Sequence, residues 1–194
     1  MTQYQHAAAE RAAERLRDLS RLAEEAASTL SFDIARAVSM VRDTVSRGGT
    51  LFFCGNGGSA ADAQHLATEY VVRYMRNRRP LRALALTTDT SVLTATANDF
   101  GYEEVFARQV EALATPADLL IVHSTSGNSP NVIRAVETAR QRGVAVLAFS
   151  AGDGGQLRGL AAHCVVVPTS RTDRAQELHL CIEHVICELV EEEL

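Results

Sequence analysis

The sequence contains no lysine: all 19 of its basic residues are arginine. This excludes Schiff-base catalysis on a lysine and any phosphate loop that depends on one. Positive charge is short overall as well. A formal net charge of −5 and a pI near 5.7 remove the electrostatic footprint of a nucleic-acid binder, so no direct nucleic-acid partner is expected. Cysteine is scarce: Cys54, Cys164, Cys181 and Cys187 stand singly in apolar stretches, without the loop-rich spacing of a disulfide scaffold. Each reads as a reduced, buried small hydrophobe of a cytoplasmic protein. No apolar run approaches the ~20 residues of a membrane span, and no secretory leader precedes the first helical pattern. No membrane partner is expected. Repeats and low-complexity linkers are missing too, so 194 residues with 46% hydrophobic content fit a single globular domain.

What is present divides into two parts. Residues 2–48 show two helical patterns, one with Leu16, Leu19, Leu22, Ala23, Ala26 and Leu30 at three-to-four spacing, the other over 32–46. Such an N-terminal helical pair exceeds what one α/β sandwich needs, and its apolar stripe suggests a subunit interface. From Thr50 onward, short apolar runs ending in Gly or Ser alternate with helical stretches, the signature of a parallel sheet flanked by helices. Five strands are predicted, at 51–54, 83–86, 119–123, 145–149 and 164–167. Helices are expected near 60–75, 90–97, 102–113, 130–142, 155–161 and 173–193. The fold class is therefore α/β, a five-stranded parallel three-layer sandwich of the flavodoxin-like or Rossmann-like kind.

Ligands of open parallel sheets bind beyond the carboxyl ends of the strands, which directs attention to two loops. The first is Gly55-Asn56-Gly57-Gly58-Ser59, where three glycines allow close backbone approach and positive φ. Ser59 and Asp62 resemble a capping box at the start of the next helix. The second is Ser124-Thr125-Ser126-Gly127-Asn128-Ser129-Pro130, with Ser129 as N-cap and Pro130 at the first helical position. Hydroxyls and helix-terminal amides can hold a phosphate without any cation. Two such loops together point to a phosphorylated small molecule.

The helix after the first loop presents His65 and Glu69 four residues apart, on one face. The last helix carries Gln176, His179 and His184; Gln176 and His184 differ by about 80° around the axis and can line one broad face. A carboxylate and an imidazole on opposite sides of a substrate suit an aldose–ketose isomerisation, which needs a base beside the carbonyl and an acid at its oxygen. Plainer readings exist for the same residues. His65 and Glu69 could form a helical ion pair, and Gln176 could complete a capping box with Asp173. His6, His123, His163 and His179 read as surface or structural residues.

Taken together, CGNGGSAADAQH (54–65), Ala97-Asn98-Asp99, STSGNS (124–129), GDGG (152–155) and Gln176-Glu177-Leu178-His179 resemble the sugar isomerase (SIS) domain family over nearly the whole chain. The resemblance implies conversion of sedoheptulose 7-phosphate to D-glycero-D-manno-heptose 7-phosphate, with Glu69 as base and His184 as acid. It further implies that Asn56, Gly57, Gly58, Ser59, Glu69, Asn98, Asp99, Ser124, Thr125, Ser126, Ser129, Asp173 and Gln176 contact the sugar phosphate. His65, Glu69, Gln176 and His184 match a zinc set, one ion per subunit. A homotetramer, self-associating through the N-terminal helices, is implied as the assembly. Arg73 matches a family arginine near the active site, and equally fits an exposed cation among Arg76, Arg78 and Arg79. Thr68 departs from relatives that carry an acid before the base. A second resemblance, to a non-catalytic adaptor of the replication-initiator-associating type, rests on Asn98-Asp99 and the 86–97 segment. That adaptor lacks the acid and base, and both are present here.

Overall fold

The computed structural model describes residues 2–194. Its first element is a single helix, α1 (Gln3–Ser46), of 44 residues, where the sequence suggests a helical pair. Nothing between 3 and 46 breaks it: neither Gly nor Pro occurs there. Polar residues near the middle of the helix are satisfied by the helix itself, Ser28 Oγ donating to the Glu24 carbonyl and Thr29 Oγ1 to that of Glu25. The helix opens on a Thr2–Gln5 capping box.

Five parallel strands follow, β1 (Leu51–Gly55), β2 (Ala83–Ala85), β3 (Leu119–His123), β4 (Ala145–Ala151) and β5 (His163–Val167), in the order β2-β1-β3-β4-β5. Each matches a predicted run to within two residues at either end, because the strands of a parallel sheet covered by helices read as short, mainly apolar runs. The helices between them are α2 (Gly58–Val71), α3 (Thr90–Phe100), α4 (Ala107–Leu113), α5 (Pro130–Gln141), α6 (Leu157–Leu160) and α7 (Thr172–Glu192). The expected helix over 102–113 divides into a 3₁₀ turn at Tyr102–Glu104 and α4.

Alternation along the strands builds two cores. Leu51, Phe53, Ile121, Leu147 and Phe149 face α1, α2 and α7; Phe52, Cys54, Leu120, Val122 and Val146 face the layer that includes α4 and α5. The chain leaves β1 toward β2 on one side and adds β3 on the other. The carboxyl ends of β1 and β3 therefore flank the point where strand order reverses, the usual crevice for a ligand. At that point Gly55 lies opposite His123. Among the described residues no helix is long and apolar enough to cross a membrane.

The N-terminal half of α1 buries only part of its stripe. Ala26 and Leu30 are buried, Leu19 and Leu22 partly so, whereas Leu16 is 69% and Phe32 91% exposed. Cys54 and Cys187 are buried and Cys164 half-buried, but Cys181 is exposed on α7, against the expectation for all four.

Candidate active site

Three glycines bring α2 to the switch point. Gly57 adopts φ +57° as the residue before α2, a conformation costly for any side chain. At Gly58 a Cβ would lie 2.6 Å from Oε1 of Gln176, so the end of this flexible side chain from α7 rests against the bare glycine. The helix begins one residue before Ser59, which is buried inside its first turn. The expected Ser59–Asp62 capping box therefore does not form, and Gly57 supplies no side-chain cap. Free amides remain at this end of α2.

Two helical turns along, the catalytic candidates converge. His65 Nε2 stands 2.8 Å from His184 Nε2 and 3.3 Å from Glu69 Oε1. The ligand atoms of His65, Glu69 and His184 all lie within 4.8 Å of one another, an arrangement that can hold a metal ion. The helical ion pair and the three-residue cluster are thus one feature. Gln176, two turns before His184, rests against Gly58. It does not form a capping box with Asp173, because α7 starts at Thr172 and Asp173 is turned to Arg171, at 3.1 Å from its Nε. That pairing with Arg171 holds the exposed Asp173 carboxyl below the usual carboxylate range.

The second loop is a hydroxyl cluster. Ser124 Oγ lies 3.0 Å from Ser129 Oγ and 3.5 Å from Ser126 Oγ. Ser129 occupies the N-cap of α5 as expected, but its side chain bonds Ser124 and no helix amide. Thr125 is partly exposed beside them. The GDGG turn is the buttress of this loop: a Cβ on Gly127 would meet the Gly154 carbonyl at 2.1 Å, and Leu157 N donates to Gly127 O.

Asn56 links the two loops. Its side-chain amide exchanges two 2.8 Å hydrogen bonds with Asn131, and Tyr102 Oη donates to Asn56 Oδ1 at 3.0 Å. Asn131 and Tyr102 are partners that the sequence reading did not single out; the only signal was Asn131 standing second in α5. Asn98 and Asp99 are exposed at the end of α3 and bond each other. Arg73 lies beyond the end of α2, exposed, its guanidinium donating to the Tyr74 carbonyl at 3.4 Å.

Beneath the cluster lies a buried pair. His123 Nε2 is 2.8 Å from Glu183 Oε1, next to His184 in sequence. Burial pushes the Glu183 carboxyl up. Burial is the largest single influence on His123 and would lower it, but the charge and hydrogen bond of Glu183, with the Asp62 charge and the Cys54 carbonyl, together hold the imidazole above its ordinary value. Asp62 is raised by burial, and one of its oxygens has no partner. His179 is buried against the Ser150 carbonyl, and His163 against that of Asp33; His6 alone of the four is exposed.

A β1–β3 switch-point site with a helix-borne His–Glu–His cluster and a serine loop can be compared with known proteins. The model of the SIS domain family matches residues 15–151. The chain belongs to this family, among the phosphoheptose isomerases. It is 48% identical over 170 residues to the phosphoheptose isomerase of Akkermansia muciniphila, covering 88% of this chain and 90% of that one. With the phosphoheptose isomerase of Chlorobaculum parvum it shares 54% identity over 181 residues, 92% of this chain and 87% of the relative. The solved phosphoheptose isomerase of Neisseria gonorrhoeae superposes with a TM-score of 0.88 at 40% identity, covering 94% and 98% of the two chains.

Proposed function

We propose that this chain isomerises sedoheptulose 7-phosphate to D-glycero-D-manno-heptose 7-phosphate through an enediol. The observation that carries the reading is the meeting of Glu69 from α2 with His184 from α7 at the strand ends, beside a hydroxyl loop suited to phosphate. The hydroxyls of Ser124, Thr125, Ser126 and Ser129, with the N-terminal end of α5, would take the phosphate. Asn56, Gly57, Gly58, Ser59, Asn98, Asp99, Asp173 and Gln176 would meet the sugar. Asn56 does so only with whatever capacity its bonds to Asn131 and Tyr102 leave.

Glu69 then removes the proton from the carbon next to the carbonyl, while His184 gives a proton to the carbonyl oxygen. The resulting enediol takes a proton back on the neighbouring carbon and loses one from its hydroxyl, leaving the aldose and regenerating both groups. An adaptor without proton chemistry has no use for this pair.

Two imidazoles, a carboxylate and the Gln176 amide nearby are a donor set that fits zinc, with His65, Glu69 and His184 converging. Bound there, zinc would supply a Lewis acid for the substrate oxygens. A cytoplasmic homotetramer is the assembly in keeping with the uncovered face of α1. The test is direct: mixed with sedoheptulose 7-phosphate, the purified protein gives aldoheptose phosphate signals by NMR, and no conversion at any metal loading rejects the reading.

A further inference from the structure

The last turns of α7 carry a buried carboxylate that proton transfer does not use. Glu191 accepts hydrogen bonds from three consecutive backbone amides, those of Tyr74 at 3.1 Å, Met75 at 2.7 Å and Arg76 at 2.6 Å, and from Arg78 Nε at 2.9 Å. Arg78 in turn donates to the carbonyls of Tyr70 at 2.9 Å and Glu69 at 2.7 Å, at the end of α2. Side-chain exposure of the ion pair is 11% for Arg78 and 3% for Glu191. Charge-assisted bonds from a run of amides onto one buried anion fix a backbone segment strongly.

What this segment carries is the Tyr74 ring. It stacks on the imidazole of His184, centroids 5.5 Å apart and planes 25° from parallel, while His65 meets the same imidazole edge-on at 5.0 Å. The outer torsion of a histidine is broad and roughly two-fold, so the helix backbone alone does not settle where its nitrogens point. Neighbours must do so. Val72, Met75 and Arg76 around Tyr74 are exposed, and the half-buried ring packs at the margin of the core, so the Glu191 anchor on its backbone and that packing together set its place.

We propose that Tyr74 is a positioning residue for His184, and that the Glu191–Arg78 pair acts on the reaction through it. The proposal rests on the isomerase reading for its kinetic arm. Y74A should lower kcat about 10- to 100-fold, the cost typical of a misoriented catalytic group, with KM within about threefold. Y74F, which keeps the ring, should rescue the rate. E191Q should lower kcat in the same way, and Y74A/E191Q should be no slower than Y74A, because both remove one effect. Losses that multiply, or a Y74A enzyme with wild-type kcat, would overturn the proposal. NMR of the His184 ring, assigned by its disappearance in H184Q, gives a reading that needs no turnover. Its ring protons should shift in Y74A and E191Q and stay in Y74F; unchanged signals in Y74A also overturn it. A wild type that fails to isomerise while these shifts occur would count against the reaction and not against the positioning. Because Tyr74 lies on an otherwise exposed segment, its variants keep the test open should E191Q fail to fold.

Discussion

His65 and His184 lie 119 positions apart and meet Nε2 to Nε2 at 2.8 Å. One ring nitrogen must donate to the other, or both must turn to a shared third partner. With Glu69 Oε1 at 3.3 Å from His65 Nε2, the same spot gathers a carboxylate and two imidazoles. It is a place for a proton or a cation.

If the cation is zinc, elemental analysis of protein purified without chelator should find about one zinc per chain, as expected for converging N and O donors. His65→Ala should lose most of it. Because His65 has no proton-transfer role in the scheme, this variant and chelated wild type should lose activity together, and added zinc should restore only the wild type. Activity that survives exhaustive chelation, with no metal detected, would leave the cluster as an acid–base site alone.

Glu69→Gln and His184→Gln should each lower kcat by roughly 10² to 10⁴, the range for a lost general base or acid. Both swaps are close in size, and Glu69 and His184 are both partly open to solvent, so circular dichroism and melting should change little. Full activity in Glu69→Gln would reject the proposed base.

The serine loop gives a different signature. Phosphate is held alike in ground and transition states, so Ser124→Ala combined with Ser126→Ala should raise KM and leave kcat nearly alone. Ser124 is buried and bonded to Ser129, so its loss also frees that hydroxyl. An unchanged KM in initial-rate measurements would move the phosphate to the glycine loop after β1.

Much of this was legible before any coordinates. The five strands announce themselves because strands of a covered parallel sheet are mainly apolar, with only His123, Ser150 and His163 interrupting them, and the two ligand loops follow from strand ends rich in Gly and Ser. Pairing across the fold was not legible. His123 reads as a lone histidine until β3 sets it against Glu183 of α7, and Glu191 as one of a run of terminal acids until the chain after α2 wraps its amides onto it. The capping box at Ser59 misled because a glycine-rich turn ended the loop one residue sooner than a side-chain cap would. At residues 31–33, Ser-Phe-Asp imitates a helix start inside a helix that nothing interrupts.

Phe32 makes a test of assembly. At 91% exposure, with Leu16 at 69% on the same helix, it is a costly surface for a monomer. Light scattering should give the mass of a tetramer, and Phe32→Asp should shift the distribution toward smaller species while leaving the α/β core folded. A wild type that stays monomeric at all concentrations would remove the proposed role of α1.

The last prediction concerns acid stability. Burial lowers His179 to about 4, with nearby His123 adding to the effect and the bond to the Ser150 carbonyl opposing it. The unfolded chain, with an imidazole near its ordinary value of ~6.5, binds a proton that the fold refuses between those two pH values. The neutral form is the one that folds, so this contribution is fully present above ~6.5 and is lost as pH falls toward 4. Its size is of the order of 3 kcal/mol, taken from the width of that window. His179→Gln keeps a donor for the Ser150 carbonyl and cannot titrate. Urea unfolding at pH 7 and at pH 4.5 should therefore show a smaller loss of stability in the variant than in wild type, even if the variant starts lower. The buried His123–Glu183 pair titrates in both proteins and cancels in the comparison. Equal losses in the two would mean that His179 is protonated in the folded protein as readily as in the unfolded chain.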